Sequence, residues 1–205
     1  MDEIELPTGE PSTALDDERL RFFLEHQDQI RIWAALAAEV QDAVGGLLRE
    51  LRVDLIADPR VDQLGIRVGS RVSGETPTGP VIYRPTWCKD DEAVPDVGIA
   101  MGWDGRVDPA GVWPKTNLPY VGVLCSHQTN AGRAIETRLR METASRLDEE
   151  PKFRNGSHWV VYRPIKSSKD WWRDIAKWRA GLLDELLASW TRWSAVVDEA
   201  VSPED

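Results

Sequence analysis

Residues 160–172, VVYRPIKSSKDWW, join an apolar strand to a helix that opens on two tryptophans. Because proline cannot donate a hydrogen bond to a strand ladder, Pro164 predicts the end of the strand. Ser167 and Asp170 stand three residues apart, the spacing of a capping box with Asp in place of the usual Glu. The segment therefore predicts a helix that is fastened back onto a sheet. The same Tyr-Arg-Pro tripeptide recurs at 83–85, after another apolar stretch.

The patterns on either side of this segment define a fold class. Apolar residues recur at steps of three and four from about residue 14 to 57, which is typical of a long helix that Gly45-Gly46 kinks or divides in two. Four strand patterns follow, with short connections between the early ones, then a helix, a fifth strand and a closing helix. The strand patterns are at 63–73, 80–88, 96–103, 120–126 and 157–164, and the later helices at 129–148 and 168–200. The order predicts an α+β fold, with a mostly antiparallel sheet of about five strands packed against long N- and C-terminal helices.

The negative charge of the chain is concentrated at its two ends. Residues 1–18 contain seven acids and no Lys or Arg, and residues 198–205 contain four acids, so a net charge of −10 leaves the body near neutrality. Acidic, turn-forming ends predict disordered tails at 1–12 and 201–205 around a single domain at 13–200. The near-neutral body lacks the basic surplus of a nonspecific nucleic-acid binder, so nucleic acid is kept as an alternative partner and is not favoured.

The apolar runs and the cysteines predict a cytoplasmic protein. No apolar run approaches the roughly 20 residues that a membrane-spanning helix needs, and the first residues lack the basic and apolar regions of a signal peptide. Cys88 and Cys125 are expected to be buried, reduced thiols. We therefore expect no membrane association.

The residue types that bind metals do not occur in ligand patterns. His26, His127 and His158 share no metal-ligand spacing with one another or with a cysteine pair. The acidic segment 89–96 lacks the alternating ligands and central glycine of an EF-hand loop. The sequence therefore predicts no metal site and no cofactor.

Arginines and tyrosines near the strand ends form a candidate binding set. Two arginines share one face of the first strand, and two others end central strands just before a proline, each next to a tyrosine. Converging guanidinium groups would suit a phosphate or a carboxylate, whereas the alternative is that each pairs with a nearby acid or lies over an aromatic ring. The candidate binding residues are Arg67, Arg71, Arg84, Arg163, Tyr83 and Tyr162.

The closing helix carries an apolar arc that is wider than one packed face requires. The favoured interpretation is that its tryptophans pack on the sheet and on the N-terminal helix. A homodimer interface is the second interpretation, because aromatic residues are enriched in the cores of such interfaces. Base stacking would need a basic groove, and membrane binding would need a basic polar face. The candidate interface residues are Trp171, Trp172, Trp190 and Trp193.

Four segments of the C-terminal part carry a resemblance to a known group of proteins. They are YVGVLCS at 120–126, the helix at 129–148, HWVVYRP at 158–164 and DWWRDIAKW at 170–178. Over residues 119–200 their order resembles the modules associated with PD-(D/E)XK nucleases and other prokaryotic defence or mobile-element proteins. That chemistry needs metal-binding carboxylates and a strand lysine, but no acid in 120–126 is followed two residues later by Lys. The resemblance therefore implies a related module without an intact nuclease site.

The sequence favours a non-catalytic interaction or regulatory module of a prokaryotic system, with a protein partner or a second copy as its partner. One alternative is a nucleic-acid-directed protein, related to a degenerate nuclease, that uses the four arginines. Another is a small-molecule enzyme centred on Cys125, Ser126 and His127, which follow one another at a strand-to-helix junction. Adjacent strand residues point in opposite directions, so a capping role for Ser126 or Thr129 is favoured over a catalytic relay.

Overall fold

The structure is a computed structural model that describes residues 18–88, 94–103, 119–149, 159–166 and 171–202. Contacts between residues divide the chain into two units, Met1–Asp42 and Ala43–Asp205, and the boundary falls inside the first helix. The expected N-terminal tail at 1–12 lies outside the described residues, as do the last three residues of the expected C-terminal tail.

The fold is α+β, with one five-stranded antiparallel sheet whose strands lie side by side in chain order. The predicted order of the long helices and of the five strands is confirmed. The helices are α1 (Glu18–Ala57), α2 (Pro59–Gln63), α3 (Asn130–Glu149) and α4 (Ile175–Val201), and the strands are β1 (Arg67–Gly69), β2 (Val81–Tyr83), β3 (Val97–Gly102), β4 (Tyr120–Cys125) and β5 (Trp159–Pro164).

Helix α1 continues through Gly45-Gly46 without a break and ends at Ala57, where the sequence predicts its end. The short helix α2 follows and was not predicted, because its five residues are too few to show a helical period. Asp58 caps α2, since its side chain accepts a hydrogen bond from the Arg60 backbone N–H at 2.9 Å. Pro59 at the first helical position has no N–H to leave unsatisfied.

The two faces of the central sheet differ in side-chain size. Ile99 of β3 stands opposite Val123 of β4, and Arg163 of β5 stands opposite Val121 on the same face. Helix α4 packs against β3 and β4, and its Glu185 forms an ion pair with Arg163. Helix α4 therefore covers the face with the large aliphatic side chains.

Glycines and tyrosines occupy the opposite face. A Cβ added to Gly102 would lie 2.6 Å from the Tyr120 ring, and one added to Gly122 would lie 2.7 Å from the Tyr162 Cα. Because glycine has no side chain, the neighbouring strand and its tyrosine can occupy the space beside each glycine. This kind of packing stabilises strands that contain glycine.

The first predicted strand, 63–73, is much shorter in the structure. Gln63 belongs to α2, and Gly65 adopts a positive φ of 63°, which suits glycine and ends the helix in a turn. Val72 forms only an isolated bridge to Glu75, beyond the end of β1. The alternating pattern therefore predicted the middle of the strand correctly and its ends wrongly.

The second predicted strand, 80–88, ends at Tyr83. Residues 85–87 form a 3₁₀ turn instead, in which the Trp87 backbone N–H donates to the Arg84 carbonyl at 3.0 Å. Pro85 is the physical reason, because it has no N–H for a strand ladder and opens a turn readily.

The closing helix begins later than the predicted residue 168. A 3₁₀ turn at 171–173 precedes α4, and Asp174 caps the helix by accepting a hydrogen bond from the Lys177 backbone N–H at 3.0 Å. The predicted capping pair, Ser167 and Asp170, lies outside the described residues.

Helix α4 is the centre of the core in the second unit. Arg179 joins it to residues 43–57 of α1 through Glu50, at 2.9 Å, and Asp54, at 2.5 Å. The buried apolar side chains of α4 are Trp178, Leu182, Leu183, Leu186, Leu187, Trp190, Trp193, Val196, Val197 and Ala200, and those of α1 are Val44, Leu48, Leu51 and Leu55.

Candidate functional site

Two of the four candidate arginines are held in ion pairs with acids of α4. Arg84 Nε lies 3.1 Å from Asp198 Oδ2, and its guanidinium lies over the Trp190 ring, 5.3 Å from the centroid. Arg163 pairs with Glu185. The sequence left open whether each arginine binds a ligand or instead pairs with an acid or lies over an aromatic ring. Arg84 and Arg163 do the latter, and their contacts link the sheet to α4.

Arg67 and Arg71 lie on and just beyond the edge strand β1, and neither has an acidic partner among the residues that the structure describes. Arg67 stands opposite Tyr83 in the strand register. Burial raises the pKa of Tyr83 above its ordinary value of 10, while the guanidinium groups of Arg67 and Arg52 act in the opposite direction. Of the four candidate arginines, Arg84 and Arg163 thus pair with acids of α4, whereas Arg67 and Arg71 at β1 have no acidic partner among the described residues.

The two candidate tyrosines pack against glycines of the neighbouring strands. Tyr83 is buried, and its ring lies 3.0 Å from the position of a Cβ on Gly69. Tyr162 lies beside Gly122 and makes an edge-to-face contact with Tyr120, with 5.7 Å between ring centroids. These contacts fill the spaces above glycines.

The Cys125–Ser126–His127 segment is used in packing and capping. Cys125 and Ser126 are fully buried, and the Ser126 hydroxyl accepts hydrogen bonds from the backbone N–H groups of Gln128 and Thr129, both at 3.2 Å. Burial raises the pKa of the Cys125 thiol well above its ordinary value of 9. A buried, protonated thiol is a poor nucleophile, so this arrangement does not resemble an activated catalytic cysteine.

The junction between β4 and α3 is held by a short hydrogen-bond network. Thr129 caps α3 by accepting a hydrogen bond from the Gly132 N–H at 3.0 Å, and its own hydroxyl donates to buried Asp96 at 2.6 Å. His127 Nδ1 lies 3.3 Å from Glu136, and Glu136 also pairs with Arg140 at 2.7 Å. The predicted cap is therefore present, and the histidine is oriented toward α3.

The four candidate interface tryptophans have different environments. Trp190 and Trp193 are 2% and 3% exposed and lie in the core, where Trp190 packs 5.1 Å from Trp87. Trp171 is half-buried and stacks on Trp178 at 4.3 Å. Trp172 is 57% exposed and carries the Arg173 guanidinium over its ring. Most of these tryptophans thus pack against other residues of the same chain, whereas more than half of the Trp172 side chain is exposed.

Exposed apolar surface is concentrated on residues 18–42 of α1, in the first unit. Eight large apolar side chains in this segment are between 43% and 66% exposed, and Trp33 is the most exposed of them. Six of them extend over half of the helix circumference. We call these six the apolar face of α1: Phe22, Phe23, Ile32, Trp33, Leu36 and Val40.

The apolar face follows the spacing of a helix–helix seam. Trp33, Leu36 and Val40 follow one another at steps of three and four, and the same line continues back through Gln29 and His26 to Phe22. The His26 ring contacts the Phe22 ring, with 4.4 Å between centroids. The stripe predicted from the sequence includes Phe23, Trp33 and Val40 of the apolar face, but periodicity alone does not reveal whether another element covers these residues.

A second feature that was not predicted from the sequence is a pocket of about 350 Å³ in the second unit. Arg49 and Arg52 of α1 form one wall, Ser70 lies beside them, and the segment 76–80 forms the other wall. A local feature of the sequence could have indicated these two arginines: none of the residues three or four positions from either of them along α1 is an acid.

Among the described residues, no group of three or more His, Cys, Asp or Glu side chains is arranged to hold a metal ion. Within the same residues, no helix combines the length and apolar character needed to cross a membrane.

Comparison of the chain with protein-family models, with curated proteins and with solved structures found no match.

Proposed function

We propose that this protein is a non-catalytic interaction module that forms a homodimer through the apolar face of α1. The observation that carries the proposal is the exposure of six large apolar side chains on one side of residues 18–42. Isolated apolar residues are common on protein surfaces, but this many large exposed apolar side chains along one side of a helix is typical of an interaction site.

The area of the apolar face fits the interface of a stable dimer. The six side chains of the apolar face of α1 are each about half exposed. With 150–250 Å² for a whole aromatic side chain, they present roughly 600 Å² of apolar surface. This is at the upper limit of the patches seen on monomers and near the ~800 Å² that each partner buries in a standard interface.

A second copy of the chain is the occupant that the spacing favours. Steps of three and four place apolar residues where two helices pack side by side, and identical helices supply this pattern to each other. His26 and Gln29 occupy two positions of the same seam, and polar residues in a seam fix its register at some cost in stability. The seam is therefore suited to a specific pairing of limited strength.

The reactive side chains support a role other than catalysis. Ser126 accepts two hydrogen bonds as a turn-forming hydroxyl, and Cys125 is buried in the core. Arg84 and Arg163 are engaged with acids of α4. A regulatory role in a prokaryotic defence or mobile-element system, which the resemblance over 119–200 implies, is part of the same proposal.

The proposal is tested by sedimentation equilibrium of the wild-type chain and of the double variant Leu36→Glu/Val40→Glu. We expect the wild type to have twice the 23.1 kDa mass of one chain. The double variant should sediment as a single chain, because four charges would be buried in each dimer interface.

The matched control is Val53→Glu/Ile56→Glu, which places the same charges on two exposed aliphatic residues of α1 outside the apolar face. This control should remain a dimer. A wild-type chain that is monomeric at about 0.1 mM, a concentration far above the dissociation constant of a typical specific dimer, would refute the proposal. Dissociation of the control variant to the same extent would also refute it.

A further inference from the structure

The pocket between α1 and segment 76–80 contains two positive charges that the described part of the chain leaves unneutralised. Arg49 and Arg52 are three residues apart on the helix, where like charges repel. Neither has an acidic partner among the described residues, whereas Arg60, Arg140 and Arg179 each pair with an acid. An anion in this pocket would relieve the repulsion between Arg49 and Arg52.

The acids of the same helix stretch serve another contact. Glu50 and Asp54 both pair with Arg179 of α4. The helix thus presents Glu50 and Asp54 to Arg179 of α4, at partly exposed positions, and its arginines to the pocket. This separation of charge leaves the guanidinium groups available for a ligand.

The opposite wall of the pocket is held in place by hydrogen bonds to β3 and the residue that follows it. The Thr78 hydroxyl donates to the Trp103 carbonyl at 3.0 Å, and the Gly79 N–H donates to the Met101 carbonyl at 3.1 Å. A Cβ on Gly79 would lie 3.0 Å from that carbonyl oxygen, so glycine permits the close approach. A wall fixed in this way loses little freedom when a ligand binds.

The groups that line the pocket suit a phosphate attached to a less polar body. Guanidinium groups bind phosphate oxygens with two parallel hydrogen bonds, and the hydroxyls of Ser70 and Thr76 can donate further bonds. Pro77 and Pro80 provide apolar surface on the other side. The volume of about 350 Å³ lies at the small end of the range for ligand pockets.

We infer that this pocket binds a small phosphorylated molecule of about mononucleotide size, with its phosphate held between Arg49 and Arg52. The inference does not depend on the homodimer, because every residue that lines the pocket lies in the second unit. It also differs from the nucleic-acid hypothesis based on Arg67, Arg71, Arg84 and Arg163, since it uses none of them.

The test is isothermal titration calorimetry of the full chain with inorganic phosphate, pyrophosphate, adenosine monophosphate, and adenosine as the uncharged control. We expect adenosine monophosphate to bind, adenosine not to bind, and added salt to weaken the binding. The variant Arg49→Gln/Arg52→Gln should bind adenosine monophosphate at least about tenfold more weakly, because it lacks both charge-assisted contacts.

The matched control is Arg67→Gln/Arg71→Gln, which removes the same charge from two other arginines without acidic partners among the described residues. This control should change the affinity less than about twofold, since exposed charges outside the pocket are screened. If the Gln variant of the pocket fails to fold, the variant Arg49→Lys/Arg52→Lys keeps the charge and should still weaken binding, because lysine cannot form the two-bond contact.

Three results would overturn the inference. The first is the absence of heat with all three phosphate-containing probes. The second is an equal loss of affinity in the pocket variant and the β1 control, which would indicate a general basic surface. The third is binding of a single-stranded oligonucleotide with no binding of the small probes, which would assign the arginines to nucleic acid.

Discussion

Replacement of Gly122 by alanine tests the packing of the sheet most sharply. Gly122 lies in β4 opposite Tyr162 of β5. An added methyl group would overlap the Val161 carbonyl oxygen and would lie 2.7 Å from the Tyr162 Cα. Because these atoms belong to the backbone of a paired strand, no side-chain rotation can relieve the overlap. The two strands would have to separate locally, at the cost of ladder hydrogen bonds.

The magnitude follows from the cost of overpacking. Insertion of one methyl group into a packed core costs about 1–3 kcal/mol, and a rigid backbone neighbour places Gly122→Ala at or above about 3 kcal/mol. Gly181 of α4 provides the matched control, because it is exposed and a Cβ there meets no atom within 4 Å. Gly181→Ala should stabilise the protein by up to about 1 kcal/mol through helix propensity alone.

The assay is urea unfolding followed by far-ultraviolet circular dichroism, with the slope of each transition compared with that of the wild type. We expect a lower midpoint for Gly122→Ala and a higher midpoint for Gly181→Ala. If Gly122→Ala unfolds within about 0.5 kcal/mol of the wild type, the scale of an ordinary surface substitution, the close approach of β4 and β5 is wrong.

Three further outcomes are expected. The Arg60 guanidinium lowers the pKa of Asp58 below its ordinary value of 3.8, so this pair stabilises the fold above that pH, and the contribution is lost as the pH falls through the lower folded value; urea midpoints measured against pH should therefore fall less at acidic pH in Asp58→Asn than in the wild type, and equal falls would contradict the pairing. Cys125, which is buried with a raised pKa, should resist iodoacetamide in the native protein and react after unfolding, as read by mass spectrometry; rapid native alkylation would contradict its burial. The buried Ser189 hydroxyl has no hydrogen-bond partner in the described structure, so Ser189→Ala should raise the free energy of unfolding by about 1 kcal/mol, and a clear loss of stability would indicate that a partner exists.

Hydrophobic periodicity was sufficient to predict the order of the long helices and of the strands, and the positions of the central strands. The segments at 96–103 and 120–126 are apolar at nearly every position, as expected for strands covered on both sides, and β3 and β4 lie there. The ends of elements depended on local backbone conformation. Gly65 and Pro85 stopped regular structure where the apolar pattern alone would have continued it.

The candidate site was less predictable, because periodicity shows which residues share a face and does not show what covers that face. The wide apolar arc of α4 suggested surplus aromatic surface, yet Trp190 and Trp193 are buried in the core. Trp33 belongs to an equally regular stripe on α1 and is 66% exposed. Similarly, Arg84 and Arg163 form ion pairs with acids that are distant in the sequence, and no local motif could reveal these pairs.

The central claim is that the apolar face of α1 is a dimer interface, and hydrogen–deuterium exchange of residues 22–40 tests it most directly. Exchange should be measured at protein concentrations above and below the dissociation constant of the dimer. Dimer formation predicts slow exchange in this segment at high concentration and fast exchange on dilution, while β3 and β4 exchange slowly at both. Exchange of residues 22–40 that is fast at every concentration would contradict the claim.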